Sequence, residues 1–289
     1  MKDRTLISSN TQICAVIGNP IEHTLSPAIH NAAFEHMNLD FVYLACKVED
    51  VKNALAGMRA FGNFRGMSVT IPHKIEAMKY LDEINVVDRT IGSINTVIHQ
   101  HDKLIGFGTD GPGALKALVE SGVELDGKNV LMLGSGGAAR AISFTLARNT
   151  KPNELLILDV NKTMLDGLAD DLKNGTDVFI KAEPLNERSL ANAMMNADII
   201  IHCTPIGMSP KKDASLIPIE LFRHGQVVFD IVYTPLETKL LADAKSRGLK
   251  VISGVDMFIN QAVLQFEQFT GKDAPIDVMR GVVMENLKS

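Results

Sequence analysis

Apolar and polar positions along this chain follow two periods that take turns. Short alternating or continuous apolar runs give way to stretches with apolar residues every three or four positions. In the first third this spacing predicts a strand over 12–17, a helix over 27–37, a strand over 41–45 and a helix over 50–60. A strand over 65–70, a helix over 73–81 and a strand pair near 94–98 and 104–107 follow. Asp110-Gly111-Pro112-Gly113 opens a helix that runs to about Ser121. Beyond it come strands over 130–133 and 155–158 with a helical pattern from Ala141 to Leu146 between them. Later strands are expected at 178–182, 198–203, 226–232 and 250–252, and two helices over 256–269 and 275–287. Strands alternating with helices predict α/β architecture with mainly parallel sheets. No internal repeat or low-complexity linker interrupts the pattern.

Composition narrows the function classes. A length of 289 residues suits about two domains, each with its own core, and the chain is expected to enter the second near Thr109–Gly113. Net charge is -5, without a lysine or arginine run that could track nucleic-acid phosphates. No apolar stretch reaches the roughly 18 residues of a membrane span. After Met1-Lys2-Asp3-Arg4, the apolar run Ile13 to Ile17 is too short for a signal-peptide core and reads as a first buried strand. Cys14, Cys46 and Cys203 lie far apart without a CxxC, which fits reduced thiols in a cytoplasmic protein. The eight histidines lack ligand spacing, so no metal is implied.

The most informative stretch is Asn129 to Asp159. The strand Val130–Leu133 runs into Gly134-Ser135-Gly136-Gly137-Ala138-Ala139, a G-x-G-x-x-A turn, then a helix, a second strand and Asp159. This is the order of a dinucleotide-binding unit. The glycines let backbone N–H groups approach a pyrophosphate at a helix N-terminus, and the acid can accept from the adenosine ribose.

Four polar segments stand in the first part of the chain. In Gly18 to Pro27, Ser26 before Pro27 reads as a helix cap, and Thr24 beside it suggests instead a two-hydroxyl cradle for a carboxylate. In Arg65 to Lys74, Ser68 and Thr70 share one strand face while Val69 and Ile71 take the other. Lys74 taken alone is a solvated lysine, and His73 a loop residue. Asn95 in Gly92–Val97 could simply close a turn, and Asp110 could simply cap a helix.

Together these segments resemble the shikimate dehydrogenase family, including its quinate/shikimate members, over nearly the whole chain. The matching pieces are GNPIEHTLSPAIHN (18–31), GMSVTIPHK (66–74), GSINTV (92–97), TDGPG (109–113), GSGGAARA (134–141), TPIGM (204–208), DIVYTPLETKLL (230–241) and GVDMFINQA (254–262). The resemblance implies an N-terminal α/β substrate domain over 1–110, a Rossmann domain over 111–254, and C-terminal helices over 255–289 that return to the first domain. It makes Thr24 and Ser26 the carboxylate-holding hydroxyls. Thr70, Asn95, Asp110 and Gln261 would hold ring hydroxyls, with Ser68 and Tyr233 near the substrate. Lys74 and Asp110 would be the catalytic pair. Gly134, Ser135, Gly136, Gly137 and Ala138 would hold the pyrophosphate, Asp159 the ribose, Thr204 would line the cofactor site, and Ile231 and Gly254 would lie beside the nicotinamide. Oxidising a ring alcohol by hydride transfer releases its hydroxyl proton, which a lysine amine can take when burial disfavours the ammonium form. Asp110 favours ammonium, so its expected use is to position Lys74 and bind the neighbouring hydroxyl.

This chain departs from the family pattern in places. Thr24 replaces a serine, Ser68 an asparagine of G-x-N-V-T, and Gly108 the asparagine of N-T-D. Shortening two amides predicts room for a bulkier ring acid such as quinate; missing polar partners could equally weaken shikimate binding by about 1–3 kcal/mol. On the cofactor side, NADP-using members place Asn-Arg-Thr after the second Rossmann strand. Counting back from Leu168-Ala169 sets Asp159 at that asparagine and Val160 at the arginine, which favours NAD. A slide of two residues sets Asn161-Lys162-Thr163 there, with NADP as the alternative. The expected activity is a shikimate/quinate dehydrogenase using NAD(P), acting as monomer or homodimer on a small molecule without membrane or nucleic acid. A related enzyme for another cyclic acid, such as aminoshikimate, and a non-catalytic metabolite or NAD sensor are the other readings. The pair Lys74 and Asp110 argues against the sensor.

Overall fold

The computed structural model describes residues 7–22 and 24–288; Met1–Arg4, and His23 within the first polar segment, lie outside them. In chain order the first elements are β1 (Gln12–Gly18), α1 (Ser26–His36), β2 (Phe41–Lys47), α2 (Val51–Ala60), β3 (Phe64–Val69), β4 (Glu83–Ile84), α3 (Val86–Ile91), β5 (Thr96–Gln100) and β6 (Lys103–Phe107). Then come α4 (Asp110–Glu120), β7 (Asn129–Leu133), α5 (Gly137–Asn149), β8 (Glu154–Asp159), α6 (Lys162–Gly175), β9 (Ile180–Pro184), α7 (Glu187–Asn196) and β10 (Ile199–His202). The last are β11 (Val227–Asp230), α8 (Lys239–Ser246), β12 (Lys250–Ser253), α9 (Gly254–Thr270) and α10 (Ile276–Lys288). Two compact units result: residues up to Thr109 together with those from Gln261 onward, and Asp110–Asn260.

The sheet of the first unit runs β2-β1-β3-β5-β6-β4. β1 pairs in parallel with β2 and β3, but β5 runs antiparallel to both β3 and β6. This half is therefore a mixed sheet, with three of its five pairings parallel and the strand pair β5–β6 antiparallel. The reason is local: His101 and Asp102 both adopt positive φ, which closes a tight β5–β6 hairpin where a crossover helix would otherwise stand. Leu55 and Met58 of α2 pack on Ala15, Ile17, Met67 and Val97 from the sheet. Elsewhere in this unit His30, Phe34, Tyr43, Phe266 and Phe269 make an aromatic cluster. α10 packs against α1, so the C-terminal helices return to the first unit.

A correction concerns 73–81, which forms turns and a 3-10 helix at Glu76–Tyr80 instead of an α-helix. The Lys74 carbonyl accepts from the Ile94 N–H at 3.0 Å and Met78 N–H bonds back to Ile75, so the regular α-helical ladder does not propagate. β3 also stops at Val69, and Ile71 is exposed in the turn beyond.

The second unit holds a six-stranded parallel sheet in the order β12-β11-β10-β7-β8-β9. The order reverses between β10 and β7, the doubly wound dinucleotide-binding topology. Among the described residues no helix is long and apolar enough to cross a membrane.

Candidate active site

The glycine turn has the geometry that an anion needs. Gly134 adopts φ +105°, a conformation that L side chains avoid, and a Cβ there would stand 3.0 Å from the Cys203 carbonyl oxygen. Gly136 caps α5 without any side-chain hydrogen bond, so Gly137 and Ala138 open the helix with first-turn N–H groups left to a ligand. These residues fit a pyrophosphate.

Asp159 ends β8 and accepts from Ser135 twice: the N–H lies 2.6 Å and the hydroxyl 2.7 Å from Oδ2. Its Oδ1 accepts the Asn161 N–H at 2.8 Å. Asn161, not Asp159, caps α6 by accepting from Met164 N–H. Val160, between them, is 79% exposed and apolar. Lys162 is the first residue of α6 and pairs with Asp166 one turn on, at 2.6 Å.

The other cofactor candidates follow later strands of the same sheet. Thr204 lies just past β10, with Cγ2 3.3 Å from where a Gly134 Cβ would be. Ile231 follows β11, and Gly254, opening α9, lies against its carbonyl. Tyr233 stacks on Phe258, ring centroids 4.3 Å apart.

In the first unit, helix α1 starts at Ser26 itself, and no side chain caps it. The expected serine cap is therefore absent, because Ser26 already has helical backbone and its N–H points to Thr24 Oγ1 at 3.3 Å. The two hydroxyl oxygens stand 3.2 Å apart at an uncapped helix N-terminus, an arrangement suited to a carboxylate.

Asn95 is buried and does more than close a turn. Its Oδ1 accepts the Thr109 N–H at 2.7 Å, its amide donates to Thr109 Oγ1 at 2.9 Å, and Gln261 Oε1 lies 3.5 Å away. This fixes the backbone immediately before Asp110, a buried residue that opens α4. Lys74 and Thr70 are half-buried, and His73 is held by the Val48 carbonyl at 2.8 Å. Lys74 belongs to the first unit and Asp110 to the second.

Sequence reasoning missed Gln265. Its Oε1 accepts from Ser68 at 2.8 Å, while its amide donates to Thr96 Oγ1 and the Asn95 carbonyl. The available signal was its place one helical turn after Gln261 on α9.

The two shortened amide positions leave no room behind. Ser68 is buried and bonded to Tyr43 Oη at 2.5 Å as well as to Gln265. At Gly108 a Cβ would stand 2.5 Å from Asp88 Oδ1. Burial raises the Asp88 carboxyl above its ordinary range, with the Gly108 N–H opposing that shift. The spaces vacated in sequence are thus taken by Tyr43 and Asp88. Accordingly, Gly108→Asn in the wild-type background is expected to destabilise the fold by about 1–3 kcal/mol through overpacking. Adding Asp88→Ala should recover most of that loss; urea midpoints of the two single variants and the double measure it, and additive losses would refute the contact.

Comparison with known proteins gives a consistent picture. The family model "Shikimate dehydrogenase substrate binding domain" matches residues 16–97, and "Shikimate 5'-dehydrogenase C-terminal domain" matches 254–284. The chain is 40% identical to "Shikimate dehydrogenase (NADP(+))" of Methanococcus maripaludis over 98% of this chain and 100% of that one. A crystal structure of shikimate dehydrogenase with NADP+ superposes with a TM-score of 0.89 at 37% identity, covering 98% of both chains. Shikimate 5-dehydrogenase of Listeria monocytogenes, solved with shikimate and NAD, gives 0.87 at 32% identity over 96% of this chain and 98% of that one.

Proposed function

The chain belongs to the shikimate dehydrogenase family, and on that premise we propose that it interconverts shikimate and 3-dehydroshikimate, with NAD preferred over NADP. The Thr24–Ser26 hydroxyl pair at the N-terminus of α1 carries the ring-acid reading, because it offers donors and a helix dipole to one carboxylate. Thr70, Asn95 and Gln261 supply ring-hydroxyl partners from the same unit. When bound, NAD(P) supplies the hydride acceptor, or the donor in reverse. Lys74 takes the proton that the oxidised hydroxyl releases, and Asp110 orients that amine and holds a neighbouring hydroxyl. The three thiols in unpaired form suit a cytoplasmic enzyme.

The NAD preference rests on Asp159 and Val160. A carboxylate at the end of β8 accepts from a ribose 2′-hydroxyl and repels a 2′-phosphate, while Val160 brings no cation and Lys162 is paired with Asp166. One charge pair 4 Å apart at an effective dielectric near 20 amounts to about 4 kcal/mol, and solvent at this half-exposed carboxylate reduces it. We expect kcat/KM to favour NAD by at least about tenfold, and Asp159→Asn to shrink that ratio severalfold. A spectrophotometric comparison of both cofactors against shikimate and quinate tests the whole reading. Shikimate should lead, since Tyr43 and Asp88 occupy the space that the short residues at 68 and 108 would otherwise open. A strong NADP preference would overturn the cofactor assignment, and turnover of neither acid would overturn the function.

A further inference from the structure

β10 ends in His202 and β11 in Asp230, and these two residues are register partners in the parallel sheet. They are 1% and 0% exposed. His202 Nδ1 lies 2.9 Å from Asp230 Oδ1, and Nε2 lies 2.5 Å from Thr204 Oγ1. The Asp230 carboxylate also accepts the Val232 N–H at 3.1 Å and the Thr238 hydroxyl at 2.6 Å. Burying a carboxylate and an imidazole side by side is unfavourable unless each is hydrogen-bonded, and here each is.

With the carboxylate ionised and the imidazole neutral, the direction of each hydrogen in the network follows. An ionised carboxylate only accepts, so Nδ1 of the ring carries the hydrogen shared with Asp230. Nε2 of the neutral ring then lacks a hydrogen, so the Thr204 hydroxyl donates to it, while the Ile206 N–H donates to Thr204 Oγ1 at 3.3 Å. Thr204 is then an acceptor with a lone pair to spare. It stands at the carboxyl end of β10, beside the point where the strand order reverses, with its methyl against Gly134. Asp159, the adenosine-ribose acid, sits on β8 across that reversal, so the other half of a dinucleotide extends over β10 and β11.

We infer that His202 and Asp230 hold Thr204 as a hydrogen-bond acceptor for an N–H or O–H donor on the nicotinamide riboside half of the cofactor. His202 is on this account a positioning residue, and the inference rests on the dinucleotide reading above. Asp230 serves both sides, because the same carboxylate tethers the Val232 N–H and so fixes the backbone beside Ile231.

The test is calorimetric titration of the full-length protein with NAD and, separately, with ADP, which lacks the nicotinamide riboside. Thr204→Val should weaken NAD binding by about tenfold, the loss of one buried hydrogen bond, and leave ADP within twofold. Thr204→Ser, which keeps the oxygen, should recover most of the loss. His202→Leu should match Thr204→Val, and the double variant should be no weaker than His202→Leu alone. Unchanged NAD affinity in Thr204→Val, equal losses for NAD and ADP, or additive losses in the double variant would each overturn the relay. If His202→Leu fails to fold, the valine–serine comparison at 204 decides. A wild type that binds NAD yet oxidises no shikimate would sink the proposed function and leave this binding comparison standing.

Discussion

Lys74→Ala is expected to turn over shikimate about 10²–10⁴-fold more slowly than the wild type while still binding it. That range is what a positioned proton acceptor contributes, and the residue's surroundings separate it from a binding or folding role. Its carbonyl ties the segment down by accepting the Ile94 N–H, and alanine preserves that backbone anchor. The residue is half-buried, and the thermal melt separates any loss of folding from a loss of turnover. The proposed carboxylate partners Thr24 and Ser26 and the proposed hydroxyl partners Thr70, Asn95 and Gln261 remain. The effect should therefore fall on kcat, with the shikimate KM changing severalfold at most. Steady-state kinetics with a thermal melt of each variant would check it. An unchanged kcat removes the assignment, as does a loss wholly explained by shikimate no longer binding.

The second large effect concerns acid stability and His30. Its ring is fully buried, stacked on Tyr43 at 4.3 Å, and both ring nitrogens lack a hydrogen-bond partner. Burial pushes its pKa from 6.5 down to about 3; nearby Gln265 opposes the shift, but its amide and carbonyl are committed to Thr96, Asn95 and Ser68. As the pH falls below about 6.5 the unfolded chain binds a proton at this position and the folded chain does not. Stability therefore drops progressively from pH 6.5 toward 3, by up to about 4 kcal/mol from this residue. Such a loss is a large part of the 5–15 kcal/mol, roughly, that holds a domain together. In His30→Leu the titrating group is gone, so its unfolding free energy should decline less steeply over the same range, whatever its value at neutral pH. Urea melts at several pH values compare the slopes, and parallel curves for the two proteins would rule the idea out.

Much of this molecule could be read from residue order because its signals are local. The apolar run within 12–17 became β1, and the glycine turn between two apolar strands became the start of the parallel sheet. Some local signals went unread. Leu165, Leu168, Ala169 and Leu172 line the buried face of α6, and Asn186 with Ser189 forms a capping box for α7. The helix expected over 73–81 failed because a distant residue, Ile94, claims one of its carbonyls. Ser26 misled because a helix start one residue earlier turns a cap into a first-turn side chain. Gln265, Tyr43 and His202 were beyond reach for a different reason. Each gains its meaning from partners far away in sequence, Ser68 for the first two and Asp230 for the third, and only strand register or helix docking brings them together.

The filled spaces at 68 and 108 bear on how this enzyme can change. An asparagine reinstated at 108 meets a carboxylate from α3, and a longer side chain at 68 must evict a phenol from β2. Single steps back toward the common family residues thus begin uphill, whereas paired steps do not. Change at these positions is epistatic: it belongs to neighbourhoods, and a laboratory or a lineage seeking to reshape them must move two residues together.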